Sequence, residues 1–181
     1  MPQTQSMVVL LRSVNVGGKN KIKMAELKTT LAKTGFLNPE TYIQSGNVLV
    51  ESPWTPAQTR ESIRQLIQAE LKLAIDTVVL AKKRFLEIAA ALPFADADVS
   101  KCHVTFLNRT VKADELAVMD PFIRDGEQVR IDRQIVYLHC PHGYGTSKLT
   151  NGLFGTKMEH QRDKSEIGNG ADLGGNVTQN R

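Results

Sequence analysis

The chain has 181 residues, 41% of them hydrophobic and 23% charged, which is enough apolar material for one ordinary domain or two small ones and argues against a disordered chain. Its net charge of +4 and pI near 9.1 are mildly basic, short of a polybasic nucleic-acid arm. Two cysteines are too few for a disulfide framework, and no stretch approaches the roughly 20 apolar residues that span a bilayer, so a cytoplasmic protein without a membrane partner is expected.

In chain order, Met7 to Val14 is rich in aliphatic and β-branched residues and reads as a buried strand. Its "MVVLL" run is shorter than the about 7–15 apolar residues of a signal-peptide core, and Arg12 follows at once. Next comes the loop "NVGGKNKIK". Met24, Leu27 and Leu31 then share one helical face over Met24 to Lys33, with Gly35 as a stop. Thr41 to Val50 predicts a strand interrupted at Ser45-Gly46-Asn47. Thr55 and Pro56 supply an N-cap and a first helical residue, and Ile63, Leu66, Ile67 and Leu71 make the stripe of the following helix. Asp76 begins another strand, and Arg84 to Leu92 a short helix.

Pro93 to Lys101 changes composition and is read as a linker. The pattern then restarts: a strand at "CHVTFL", a short helix at Val111 to Met119, a hairpin of "EQVRID" and "QIVYLHC" turning near Asp132-Arg133, and a helix beginning at Ser147. This predicts an α+β protein of two tandem ferredoxin-like (α–β plait) subdomains, sheets with helices on one face. The expected limits are 1–93, a linker at 94–100, then 101–154. The second subdomain is short of a strand. Residues 155–181 are nearly devoid of apolar residues and of any period, so they read as a disordered tail or as the product of a frameshift near Phe154. A one-base shift permits a Thr/Ala strand followed by a helix with Leu and Val at helical spacing. Without that strand and helix, Leu153 and Phe154 are expected to be poorly covered.

The chemistry concentrates in the first loop. No Asp or Glu precedes Glu26, whereas Arg12, Lys19, Lys21 and Lys23 all do. Gly17 and Gly18 allow positive φ and a close approach of amide N–H groups to an anion, with a helix N-terminus following. Arg12 and Lys19 would add charge, and Asn15 and Asn20 orientation. The turn of Ser45, Gly46 and Asn47 could bind an anion too, although a plait need not bring it near the first loop. The competing reading is a plain turn with solvated lysines. Neither the Walker nor the dinucleotide spacing is present, so no cofactor is expected.

His139, Cys140, His142, Cys102 and His103 could in principle ligate a metal. Taking their two strands as parallel neighbours places Cys102 and Cys140 at opposite ends, so no metal site is expected. No catalytic residue can be named. Asp96 and Asp98 read as linker charges, Asp114 and Glu115 as helix-opening ones, and Trp54 as the cover of a helix start. A small anionic, phosphate- or nucleotide-like ligand is the leading partner, an enzyme of phosphorylated or nucleotide substrates is the alternative, and RNA or single-stranded DNA is a weaker one, because aromatics are only 6% of the chain.

"LLRSVNVGGKNKIKMAEL", "TYIQSGNVLVES" and "GYGTSKLTNGLF" resemble the bacterial domain of unknown function 1697 (DUF1697) family, from about Met7 to Phe154. The resemblance implies two plait subdomains and no known activity. Where the family usually has Arg-Gly-Ile-Asn-Val-Gly-Gly, this chain has Ser13 in place of the first glycine. The family also tends to end in a Thr-rich strand, an Arg-Asn pair and a helix, which the shifted frame resembles and residues 155–181 do not.

Overall fold

The computed structural model describes residues 4–15, 20–42, 44, 46–107, 110–150, 152–154 and 174–177, the last four and residues 113 and 114 as backbone alone. The chain divides into two compact units, Met1–Ala90 and Ala91–Arg181.

In the first unit, β1 (Gln5–Leu11), α1 (Met24–Lys33), β2 (Leu37–Tyr42), β3 (Asn47–Ser52), α2 (Pro56–Leu71) and β4 (Thr77–Ala81) build a sheet of order β2-β3-β1-β4. Its strand pairs are antiparallel. Placing β1 and β3 at the centre and crossing over through α1 and α2 is the plait topology. Met7, Val9 and Leu11 alternate along β1 into a core shared with Leu27 and Leu31 of α1 and Ile63 and Ile67 of α2. A further helix, α3 (Lys82–Ala90), follows β4 directly and has one buried residue, Ile88.

Local chemistry explains the ends. Thr55 and Gln58 form a reciprocal capping box that starts α2 with Pro56 in its first turn. Ser52 and Thr59 bury their hydroxyls against each other at 2.7 Å, tying β3 to that turn. Trp54 packs partly buried against the core and meets Phe36 edge-on, ring centroids 5.4 Å apart. The interrupted strand read over Thr41 to Val50 is a hairpin whose first arm starts earlier, at Leu37. Asn38 at φ +47, Pro39 and a register shift between Leu37 and Glu40 disguise that arm. The same three features blunt it as an edge strand.

The second unit repeats the plan. Its strands are β5 (Cys102–Leu107), β6 (Gln128–Asp132), β7 (Ile135–His139) and β8 (Gly174–Val177), in the order β6-β7-β5-β8. Its core gathers Leu107, Val111, Met119, Val129, Val136, Leu138, Cys140, Leu149 and Phe154.

Four expectations change here. The segment from Ala113 to Phe122 is a 3-10 helix, its N–H of Glu115 bonded to the Lys112 carbonyl and Pro121 lying inside it. Ser147 is extended, its hydroxyl accepting from the N–H of Leu149, the chain then bends so that the N–H of Thr150 donates to the Lys148 carbonyl at 2.9 Å, and helix among the described residues there is confined to 152–154. Phe154 is fully buried instead of exposed, because it completes the core beside Leu149 and Met119. The edge position of the sheet is occupied by Gly174–Val177, paired to Val104–Leu107 of β5. No side-chain periodicity marks such a strand, since Gly-Gly-Asn-Val is held by its backbone ladder. The disordered or frameshifted reading of 155–181 otherwise lies outside the described residues.

Candidate functional site

The candidate loop leaves β1 at Leu11 and is closed by its asparagines. Asn15 donates Nδ2 to the carbonyls of Ile22 at 2.9 Å and Gln44 at 2.8 Å, and its Oδ1 accepts from the N–H of Ile22 at 2.9 Å. Asn20 donates Nδ2 to the Ser13 carbonyl at 3.2 Å, while the N–H of Asn15 donates to the Asn20 carbonyl at 3.2 Å. Ser13, Asn15 and Asn20 all have positive φ, at +53, +55 and +46. Asparagine tolerates that region better than other residues with side chains, which is why two of the three are asparagine. The amides of both asparagines hold the loop's own backbone.

The second motif lies against the first. The Gly46 carbonyl accepts from the N–H of Leu11 at 3.0 Å, and a Cβ on Gly46 would sit 2.9 Å from the Leu11 Cβ and 3.3 Å from that of Val14. Gly46 has φ +83. Sequence reasoning had no means of placing this turn. The antiparallel pairing of β1 with β3 does so, setting Leu10 opposite Asn47 at the hairpin end.

Arg12 is buried, 4% exposed, and its N–H donates to the Asp76 carbonyl at 3.0 Å. The charge expected to stand on the loop's surface is therefore withdrawn from solvent. Lys21 and Lys23 are exposed, alternating with buried Ile22 and Met24. Lys23 is the N-cap of α1 and makes no side-chain cap, so the first-turn N–H groups have no capping side chain there; Glu26 stands in that turn. Gly17, Gly18, Lys19 and Ser45 lie outside the described residues, and Asn47 is half-buried at the start of β3.

The cysteine–histidine cluster differs from its expectation. β5 and β7 are antiparallel, with Cys102 opposite His139 and His103 opposite Leu138. In a plait the first and third strands must run oppositely, so Cys102 and Cys140 come to the same end of the sheet instead of opposite ends. Both thiols are free and buried. Burial pushes both up, with Asp98 adding to the effect at Cys102, whereas a hydrogen bond with Ser147 partly offsets it at Cys140. These are protonated core thiols with none of the thiolate character of a nucleophile. Among the described residues no three of His, Cys, Asp and Glu gather as metal ligands.

Two tandem α–β plaits define the fold class. Residues 4–137 match the family described as Protein of unknown function (DUF1697), and the chain belongs to that family. It is also similar to a solved structure described as conserved bacterial protein SP0830 from Streptococcus pneumoniae, at 19% identity and a TM-score of 0.65, over 97% of this chain and 93% of that one. That likeness is one of fold. No curated protein matches the chain. Among the described residues, no helix is long and apolar enough to cross a membrane.

Proposed function

We propose that this protein binds a small anionic ligand, phosphate- or nucleotide-like, at the end of the first sheet where the Arg12–Lys23 loop meets the Gln44–Asn47 turn. The observation that carries the reading is the start of α1. Its first-turn N–H groups lack a side-chain cap at Lys23, and exposed Lys21 and Lys23 stand beside them. A helix N-terminus without a capping side chain and with adjacent cations favours negative charge. Gly17, Gly18 and Lys19 would line the rest, while Asn15 and Asn20 hold the loop in shape and Gly46 lets the two segments approach. Glu26 is the counter-charge that such a ligand must outcompete. The reading places the protein in the cytoplasm, where phosphorylated metabolites are abundant and its two free thiols stay reduced.

The test is titration calorimetry of the full chain with inorganic phosphate, pyrophosphate and adenosine triphosphate. Binding should weaken about five- to tenfold in a Lys21→Ala, Lys23→Ala double variant and tighten in Glu26→Gln, in keeping with roughly 0.3–1 kcal/mol per charge near a helix end. If none of the three anions binds, or if binding is indifferent to these substitutions, the site is wrong.

A further inference from the structure

His103, the second residue of β5, is 6% exposed, and its Nδ1 is buried with no hydrogen-bond partner among the described residues. Its imidazole lies on the ring of Tyr144, centroids 4.7 Å apart and planes tilted by 39°. Across the ladder stands Leu138, which is fully buried. Two residues beyond Leu138 comes Cys140, also fully buried, whose N–H donates to the Lys101 carbonyl at 2.9 Å. Tyr144 opens a short 3-10 helix, Tyr144–Thr146, in the segment that continues through Ser147 to the core residue Leu149. The Tyr144 ring thus joins that segment to β5 through the histidine.

The surroundings are hostile to an imidazolium. β7 presents an aliphatic side chain opposite and a neutral thiol beyond it, and the 3-10 helix presents a phenol ring. Among the described residues, the charge acting on His103 is Lys101, just before β5, and it has the same sign as the imidazolium. The Glu127 carboxylate acts on Cys140, but it already accepts from the N–H of Arg124 at 2.9 Å. His142, in the same segment, is exposed.

We propose that His103 and Tyr144 form an acid-sensitive latch: a proton taken up by His103 releases Tyr144, opens the segment from Pro141 to Leu149 and uncovers Cys140. Burial, helped by Lys101, holds the closed-state imidazole below its ordinary range. In the open state the ring returns to about 6.5. The open form therefore binds the proton more tightly. Its population is at its floor above about pH 7 and grows below about pH 6.5, by at most roughly tenfold per pH unit for one proton.

The experiment labels the full chain with 4,4′-dithiodipyridine at a series of pH values on both sides of the ordinary histidine value of about 6.5. Cys102→Ser leaves Cys140 as the reporting thiol. Because the attacking thiolate itself grows scarcer in acid, rates are divided by those of the urea-unfolded chain at the same pH; this ratio should rise by several-fold to roughly tenfold per unit below about pH 6.5, with far-ultraviolet circular dichroism unchanged. His142→Gln should retain that rise and His103→Gln should flatten it. The same rise in His103→Gln, a flat profile in the parent, or loss of dichroism in step with labelling overturns the latch. If His103→Gln fails to fold, the His103 ring protons are followed by nuclear magnetic resonance in the parent. Proton uptake that coincides with labelling supports the latch, and uptake while Cys140 stays protected overturns it.

Discussion

Asn15 and Ile22 are bonded to each other twice: the asparagine Oδ1 accepts from the Ile22 N–H and its Nδ2 donates to the Ile22 carbonyl, each at 2.9 Å. The side chain imitates a neighbouring strand, and its second Nδ2 hydrogen reaches the Gln44 carbonyl at 2.8 Å. One amide therefore closes the loop and fastens it to the hairpin turn. Asn15→Ala should cost about 1–3 kcal/mol, since it leaves part-buried backbone groups unpaired. Asn15→Asp keeps the acceptor but loses both donors and should also destabilise. Urea unfolding of the two variants checks this, and anion binding should fall in parallel if the loop's shape matters.

Ser13 occupies a glycine's conformation, at φ +53. Left-handed backbone costs a residue with a side chain about 1–2 kcal/mol, partly offset in glycine by its greater unfolded freedom. Ser13→Gly should raise the unfolding free energy by up to about 1 kcal/mol, moving the denaturation midpoint up, and Ser13→Val should move it down. Equal midpoints for all three would show that the conformation is not maintained in solution.

Gly46 carries two demands at once, φ +83 and a Cβ position 2.9 Å from the Leu11 side chain. Gly46→Ala should destabilise by about 1–3 kcal/mol. The distinguishing measurement is hydrogen exchange at the N–H of Leu11, which bonds the Gly46 carbonyl and should lose protection before the rest of β1.

Alkali should loosen the second unit through its thiols. Burial raises Cys140 and Cys102 in the folded state, so their contribution is fully present below the ordinary value of 9.0 and is lost progressively as pH climbs above it through the raised folded-state value. The urea midpoint should hold to about pH 8 and decline beyond about pH 9. Cys140→Ala should make that decline shallower, whatever it does to absolute stability.

The chain from Gly155 onward is the last test. If the shifted reading frame is the natural one, a chain carrying its Thr/Ala strand and following helix should resist limited proteolysis longer than the present chain. Indifference to the exchange would favour residues 155–181 as they stand, with Gly174–Val177 as the edge strand.

Much of the architecture was legible from side-chain periodicity. Met24, Leu27 and Leu31 repeat every three to four residues, and all three are buried on α1. Thr55 and Pro56 announced the start of α2, which the capping box provides. Local sequence was silent where structure is made by backbone or by i to i+3 bonding. Thus Asn38 and Pro39 hid β2, and an apparently helical run from Val111 became a 3-10 helix around Pro121.

By itself the sequence determined a strand-and-helix pattern that restarts after Pro93, the apolar faces of α1 and α2 and a glycine–lysine loop after the first strand, because these depend on spacing between neighbours along the chain. Tertiary structure decided what stands beside what. Antiparallel pairing of β1 with β3 brought Gly46 onto Leu11, and antiparallel pairing of β5 with β7 brought Cys102 opposite His139. It also withdrew Arg12 from solvent and turned Asn15 inward on its own loop. The contacts of Gly46 with Leu11, of Cys102 with His139 and of Asn15 with Gln44 join residues 29 or more positions apart, and strand direction, which no local pattern encodes, settles which of them can meet.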